Sequence, residues 1–143
     1  MKYLSTLSAL ALFAISPVCA DTSVTIDVLA VTKADGQMYL SVFDSKKAWL
    51  KKPIASESMN VAENTNAEKL SIEIDLPAGD YAFHVFQDLD SNGKMKTNFI
   101  GIPKEPTGVS RDAKGRFGPP KYKDAVLSVG DEALTVPIKL TEI

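Results

Sequence analysis

Apolar and polar residues alternate along several short segments of the chain, with the period of two that is typical of β-strands with one buried face. The alternation predicts five strands, at residues 24–28, 38–43, 70–76, 81–86 and 134–140. Residues 125–129 are a further predicted strand, and 56–62 is a weaker strand candidate. Pro137 restricts the last predicted strand to a sheet edge or a bulge, because proline has no N–H to donate.

Turn-forming residues lie between neighbouring strand candidates and predict how these strands pair. An Ala-Asp-Gly sequence at 34–36 separates the first two strands, and a Pro-Ala-Gly-Asp sequence at 77–80 separates the next two. Both sequences favour tight turns, so we expect two β-hairpins. Residues 45–50 combine a capping serine with helix formers before Pro53, which predicts one short helix or helical turn.

This pattern of elements indicates an all-β fold. Six or seven short strands without a long amphipathic helix favour a single antiparallel β-sandwich, immunoglobulin-like or transthyretin-like. An eight-stranded up-and-down barrel is the alternative, but the chain is a strand or two short of it.

The N-terminal residues have the order expected of a secretory signal peptide. Lys2 precedes an apolar stretch at 4–15, and the small-residue sequence Val-Cys-Ala at 18–20 follows Pro17. We expect cleavage after Ala20, which leaves one domain at 21–143 in the periplasm or outside the cell, without a transmembrane segment. A lipoprotein signal at Cys19 is the less favoured alternative. Cys19 is the only cysteine, so the mature chain would have no disulfide or thiol.

Charge is unevenly distributed in a chain whose net charge is −2. Residues 94–123 contain eight basic and two acidic residues, whereas the rest of the predicted mature chain is acidic. This distribution disfavours nucleic acid as the partner of the whole domain and leaves a local site for an anionic group.

The segment 88–124 is rich in glycine and proline and is longer than an ordinary connection, which predicts a functional or a disordered loop. Its apolar residues favour one long ordered loop. Five of its residues are candidates for binding an anionic glycan, a lipid headgroup or an envelope protein: Lys104, Arg111, Arg116, Phe117 and Lys121. The alternative is a covering flap that packs Phe99 and Phe117 over one end of the sandwich. Trp49 is similarly a contact candidate, with core closure as the favoured interpretation.

Residues 88–94 resemble the first half of a calcium-binding loop. Asp88, Asp90 and Asn92 place oxygen atoms at alternate positions, and Gly93 occupies the sixth position, where a sharp turn is needed. The second half departs from the pattern, because Lys96 stands where a ligand would be expected. Asn98 or a distant carboxylate such as Asp124 would then have to complete the site. The alternative is a turn in which these side chains cap backbone N–H groups.

His84 is the only histidine of the chain, and it lies on the opposite strand face from Phe83. Near Asp88, it is a candidate general base for a hydrolase, although a structural hydrogen-bond donor is the more common role. Ser110 has no nucleophile-elbow context, so no catalytic triad is predicted.

Several of these motifs together resemble a family of exported bacterial proteins of about this size whose domain is of unknown function. In the region 76–125 the shared features are Asp88 and Asp90, Asn92-Gly93, the Gly-Ile-Pro-Lys-Glu run 101–105, Gly108 with Ser110, the Phe-Gly-Pro-Pro run 117–120, and Asp124-Ala125. Members often have Asp in the region of Lys96, so the lysine weakens a shared calcium hypothesis. The resemblance implies a β-sandwich and an exported location, and it implies no catalytic residues.

The sequence therefore favours a non-enzymatic binding or accessory module that uses the 88–124 loop. A calcium-stabilised structural domain is the alternative, and a hydrolase centred on His84 and Asp88 is the least favoured.

Overall fold

The computed structural model describes residues 20–64 and 68–142. Apart from Ala20, the predicted signal peptide lies outside these residues. Within them the chain forms eight strands: β1 (Thr22–Leu29), β2 (Gln37–Phe43), β3 (Ala55–Asn60), β4 (Lys69–Leu76), β5 (Gly79–Asp88), β6 (Thr107–Val109), β7 (Leu127–Val129) and β8 (Leu134–Lys139). Two four-residue helices, α1 (Val61–Asn64) and α2 (Tyr122–Ala125), accompany them. No helix in this part of the chain has the length and apolar character needed to cross a membrane.

The strands form two sheets. One has the order β4-β1-β8, and the other has the order β3-β2-β5-β6, with β7 also paired to β5. The fold is therefore mostly β, as predicted, and the closed-barrel alternative is wrong. One pairing contradicts the expectation of purely antiparallel sheets, because β8 runs parallel to β1. Pro137 lies on β8, which is an edge strand of the first sheet, as its missing N–H requires.

Both predicted hairpins are wrong, although all four strands concerned are present. β1 pairs with β4 and β8, whereas β2 pairs with β3 and β5. The turn at 34–36 and the short connection at 77–78 therefore carry the chain from one sheet to the other. Alternation fixes which side chains of a strand are buried, but it does not choose the neighbouring strand.

Apolar side chains from both sheets form one main core. On β1 and β4 every second residue is buried, which is the pattern read from the sequence. The completely buried members of this core include Val24, Ile26, Met38, Leu40, Leu70, Phe83 and Ile138. Burial of these side chains between the sheets is the main contribution to the stability of the fold, since each buried large apolar side chain stabilises it by about 1.5–3 kcal/mol.

A second, smaller cluster lies on the outer face of the larger sheet. It contains Phe43, Trp49, Ala82, Val109 and Ala125. Trp49 is thus a core residue. The segment around it forms turns, with a helix-type hydrogen bond from the Trp49 amide to the Ser45 carbonyl (3.0 Å), so it is the predicted helical turn and not a longer helix. The cluster is covered by part of the 88–124 segment, which is not one loop. It contributes β6, a 3-10 turn at Ser110–Asp112 and part of α2, and these divide it into an 89–106 loop and a 113–121 loop.

Candidate functional site

The 89–106 loop and the 113–121 loop lie toward opposite ends of β5. The first leaves the strand after Asp88. β6 then runs antiparallel to β5, with Val109 opposite His84, so the chain returns toward the beginning of β5. At that end the Tyr122 hydroxyl donates a hydrogen bond to the Asp80 carbonyl. Because a ten-residue strand spans about 30 Å, the structure does not form the single loop surface expected from the sequence.

Three carboxylates meet at the base of the 89–106 loop. Asp88, Asp90 and Glu105 each have an oxygen atom within 4.8 Å of one in both of the others. Asp88 and Glu105 are buried, and Asp90 is exposed. Sequence reasoning missed Glu105, although it ends the Gly-Ile-Pro-Lys-Glu run that carried part of the family resemblance. Hard oxygen donors in this arrangement suit a cation such as Ca²⁺.

Backbone N–H groups satisfy both buried carboxylates. Asp88 accepts hydrogen bonds from the amides of Asn92 (3.3 Å) and Gly93 (2.7 Å). Glu105 accepts from the amides of Leu89 (2.9 Å) and Lys96 (2.8 Å). These bonds compensate part of the cost of burying the two charges, and they close the loop on itself.

The remaining candidate ligands of the calcium loop have other roles in the structure. Asn92 uses its side-chain oxygen to accept a hydrogen bond from the Lys94 amide, as expected of a capping turn. Asn98 similarly accepts hydrogen bonds from two amides of its own turn. Asp124 belongs to the concave surface beside the 113–121 loop. The Lys96 ammonium lies 3.5 Å from Asp90, where it partly neutralises the cluster.

His84 has a structural environment on the outer face of β5. Its Nε2 lies 2.8 Å from the hydroxyl of Thr107, and that hydroxyl donates to the Val85 carbonyl. The imidazole therefore donates to Thr107 through Nε2. Burial lowers the pKa of His84 to about 4. Asp88 lies four residues along the same strand, about 13 Å away, so the geometry does not support a His84–Asp88 catalytic pair.

The 113–121 loop forms a concave, basic surface with one exposed aromatic side chain. The charged and aromatic residues that line the concavity are Lys114, Arg116, Phe117, Lys121 and Asp124. The side chain of Phe117 is fully exposed, with a relative accessibility of 103%. None of the three cations forms an ion pair with a residue in the described ranges. Three of the five sequence-predicted binding residues, Arg116, Phe117 and Lys121, are thus brought together.

The base of this loop is fixed by contacts with the second core cluster. The Trp49 indole N–H donates a 2.8 Å hydrogen bond to the Pro120 carbonyl. The same indole packs edge-on against Tyr122, with ring centroids 5.9 Å apart. Within the loop, a Cβ atom at Gly115 would overlap the Gly118 carbonyl, so the tight turn requires glycine there.

The other two predicted binding residues lie outside the concavity. Arg111 has a left-handed backbone (φ 62°), and its guanidinium donates to the Val126 carbonyl at 3.1 Å. Lys104 is exposed in the 89–106 loop, toward the other end of β5. Arg111 therefore has a structural contact, and Lys104 belongs to a different surface from the other three candidates.

The alternative interpretation of the long segment, a flap packed over the sheet by two phenylalanines, is also wrong. Phe99 and Phe117 have relative accessibilities of 99% and 103%. The residues that hold the segment in place are instead Val109, Ala125 and the buried Ser110. The Ser110 hydroxyl donates to the Ala125 carbonyl (2.6 Å) and accepts from the Phe83 amide (3.0 Å), so it is a structural residue.

Comparison with known proteins identifies a family but no characterised relative. No curated protein matches the chain. No solved structure matches it either. A family model described as "uncharacterized protein conserved in bacteria (DUF2141)" matches residues 26–137, which include all strands from β2 to β7, half of β1 and most of β8. The chain therefore belongs to this family of uncharacterized bacterial proteins.

Proposed function

We propose that this chain is an exported, non-enzymatic binding or accessory module that binds an anionic component of the cell envelope. Its scaffold is a β-sandwich of the immunoglobulin-like or transthyretin-like kind, and the binding surface is the 113–121 part of the long 88–124 segment. The predicted signal peptide at 1–20 supports the exported location.

One observation carries the proposal: the 113–121 loop presents cations without acidic partners around an exposed ring. Lys114, Arg116 and Lys121 line one concavity with Phe117, and no ion pair with another described residue neutralises them. A monomer gains no stability from such an arrangement, because like charges repel and the ring contacts water. An anionic ligand would relieve the charge repulsion.

Matched charge reversals at the two ends of β5 test this proposal. The double variant Arg116→Glu/Lys121→Glu removes positive charge from the concavity. The control Lys94→Glu/Lys104→Glu makes the same charge change on exposed lysines of the 89–106 loop. We expect the first variant to lose retention on immobilised dextran sulfate and its binding to anionic vesicles, while the control binds like the parent. Equal binding by both variants would contradict the proposal.

The carboxylate cluster supports a second candidate function, a calcium-stabilised structural domain. The sequence suggested Asp88, Asp90 and Asn92 as ligands, and the structure adds Glu105 to the two aspartates. Two of the three carboxylates are buried, where a bound cation would offset their mutual repulsion. The ion pair between Lys96 and Asp90 competes with such a cation.

Thermal unfolding in calcium and in chelator tests this candidate. A ligand that binds only the native state stabilises it by about 2.7 kcal/mol at a hundredfold excess over Kd, which shifts the melting temperature by several degrees. We expect Glu105→Gln to abolish the calcium shift and Asp124→Asn, which lies outside the cluster, to retain it. A parent protein with the same melting temperature in calcium and in chelator would rule the candidate out.

A further inference from the structure

We propose that the anionic partner of the 113–121 loop is a lipid bilayer surface, into which Phe117 inserts while the surrounding cations contact the headgroups. This inference rests on the proposed function and adds the class of ligand. It makes the protein a peripheral binder of anionic membranes that docks through one end of the fold.

The exposure of Phe117 is the first argument. A fully exposed phenylalanine has no polar atom with which to compensate its contact with water, and no side chain among the described residues covers it. The concavity around it is lined by cations, one carboxylate, glycines and Pro119. An apolar ring projecting from a basic surface matches the interfacial region of a bilayer, where acyl chains and anionic headgroups lie within a few ångströms of each other.

The chemistry of the same surface argues against a neutral glycan. Sugar hydroxyls are held by side chains that both donate and accept hydrogen bonds, such as Asn, Gln and Tyr. The residues lining the concavity include none of these, and Asp124 is the only side-chain acceptor among them. Cations and an exposed ring would therefore recognise charge and apolarity, which a lipid headgroup and its acyl chain combine.

Charge also determines which end of the fold would dock. Residues 113–121 contain three basic residues and no acidic residue. The 89–106 loop also exposes a phenylalanine, Phe99, but its base carries the carboxylate cluster of Asp88, Asp90 and Glu105. An anionic membrane attracts the first loop, whereas the carboxylates offset the lysines of the second. Phe99 is therefore a suitable control for Phe117, because it is equally exposed but belongs to the loop that carries the carboxylates.

The conformation of the 113–121 loop is fixed before the protein binds a membrane. The hydrogen bond from Trp49 to Pro120 and the close approach of Gly115 to the Gly118 carbonyl fix its shape in the free protein. Pro119 and Pro120 further restrict the backbone. Since little conformational freedom remains to be lost on docking, a small contact area is sufficient for measurable binding.

Vesicle sedimentation tests the inference with two single substitutions of exposed phenylalanines. The full chain is expressed in a Gram-negative host and purified as the cell processes it, then mixed with vesicles of phosphatidylcholine alone or with phosphatidylglycerol at 7:3. We expect binding to the anionic vesicles only, weakened by high salt. Phe117→Ser should reduce the affinity about tenfold, whereas Phe99→Ser should leave it unchanged. Both residues are fully exposed, so neither change should affect folding, which a melt verifies.

The outcomes separate this inference from the proposed function. Equal effects of Phe117→Ser and Phe99→Ser, or no binding of the parent to anionic vesicles, would overturn the membrane inference. If retention on dextran sulfate still depended on Arg116 and Lys121 in that case, the anion-binding function would stand and its ligand would be a soluble or polymeric anion. Failure of both assays would remove the proposed function as well.

Discussion

The indole of Trp49 and the carbonyl of Pro120 are joined by a 2.8 Å hydrogen bond across 71 positions of the chain. It connects the turn segment after β2 with the end of the 113–121 loop. Trp49 is at the same time buried among Phe43 and the other members of the second cluster. One side chain therefore closes this small core and holds the proposed binding loop in position.

Replacing Trp49 with phenylalanine separates these two contributions. Trp49→Phe retains an aromatic ring against Phe43 but removes the indole donor, which leaves the Pro120 carbonyl without its partner. We expect a loss of about 1–2 kcal/mol in the free energy of unfolding. Urea unfolding followed by far-UV circular dichroism measures this, since the substitution removes the tryptophan fluorescence. An unchanged midpoint would show that the hydrogen bond does not stabilise the loop.

Ser110 is expected to be a stability residue without a catalytic role. Ser110→Ala leaves the Phe83 amide and the Ala125 carbonyl without a buried partner, which should cost about 2–3 kcal/mol. Ser128→Ala is the matched control, because its hydroxyl bonds to the exposed Asp80 carboxylate and should cost less than about 1 kcal/mol. Comparable losses in the two variants, measured by chemical denaturation, would contradict this assignment.

Gly108 is required by the close approach of β6 to β8. A Cβ atom at this position would lie 2.7 Å from both the Ile138 side chain and the Lys139 carbonyl. We expect Gly108→Ala to destabilise the protein by about 1–3 kcal/mol through overpacking. Gly130→Ala introduces the same methyl group into open space and should leave the melting temperature nearly unchanged. The prediction is wrong if Gly108→Ala and Gly130→Ala have the same melting temperature.

His84 should make the protein less stable in mild acid. Its pKa is about 4 in the folded state, below the ordinary value of 6.5, because burial disfavours the imidazolium. Between these two values the unfolded chain binds a proton that the folded chain does not. Above pH 6.5 this difference has no effect on the free energy of unfolding. As the pH falls from 6.5 to about 4, the free energy of unfolding decreases progressively, by up to about 3 kcal/mol.

The substitution His84→Gln isolates this contribution from that of the carboxylates. Glutamine can still donate to Thr107 but does not titrate. We therefore expect the difference in unfolding free energy between parent and variant to change in the variant's favour from pH 7.5 to pH 4.5. A difference that stays constant with pH would show that His84 is protonated equally well in both states.

The hydrophobic pattern was sufficient to locate most of the strands. The five segments predicted from alternation correspond to β1, β2, β4, β5 and β8, and only β8 ends one residue earlier than predicted. The prediction succeeds because the burial of each side chain in a strand depends on a local period of two. The family resemblance pointed correctly to an uncharacterized bacterial family. Pro137 likewise predicted an edge strand, since its missing N–H is a property of the residue itself.

Strand pairing was decided only by the tertiary structure. β4 and β5 are separated by Pro77 and Ala78, and yet they belong to different sheets. Pairing depends on how two sheets enclose a common core, which is a property of the whole chain and has no local signature in a turn.

In the candidate sites, too, the sequence indicated the chemical groups and the tertiary structure decided their positions. Asp88, Asp90 and Phe117 were evident from the sequence as isolated chemical groups. The return of Glu105 to Asp88, and the separation of Lys104 from Arg116 toward opposite ends of β5, follow from β6 pairing antiparallel to β5. The sequence by itself determined which residues carry charge, oxygen ligands and aromatic rings. Only the fold decided which of them meet, because contacts between distant residues are set by the packing of the sheets and not by their spacing along the chain.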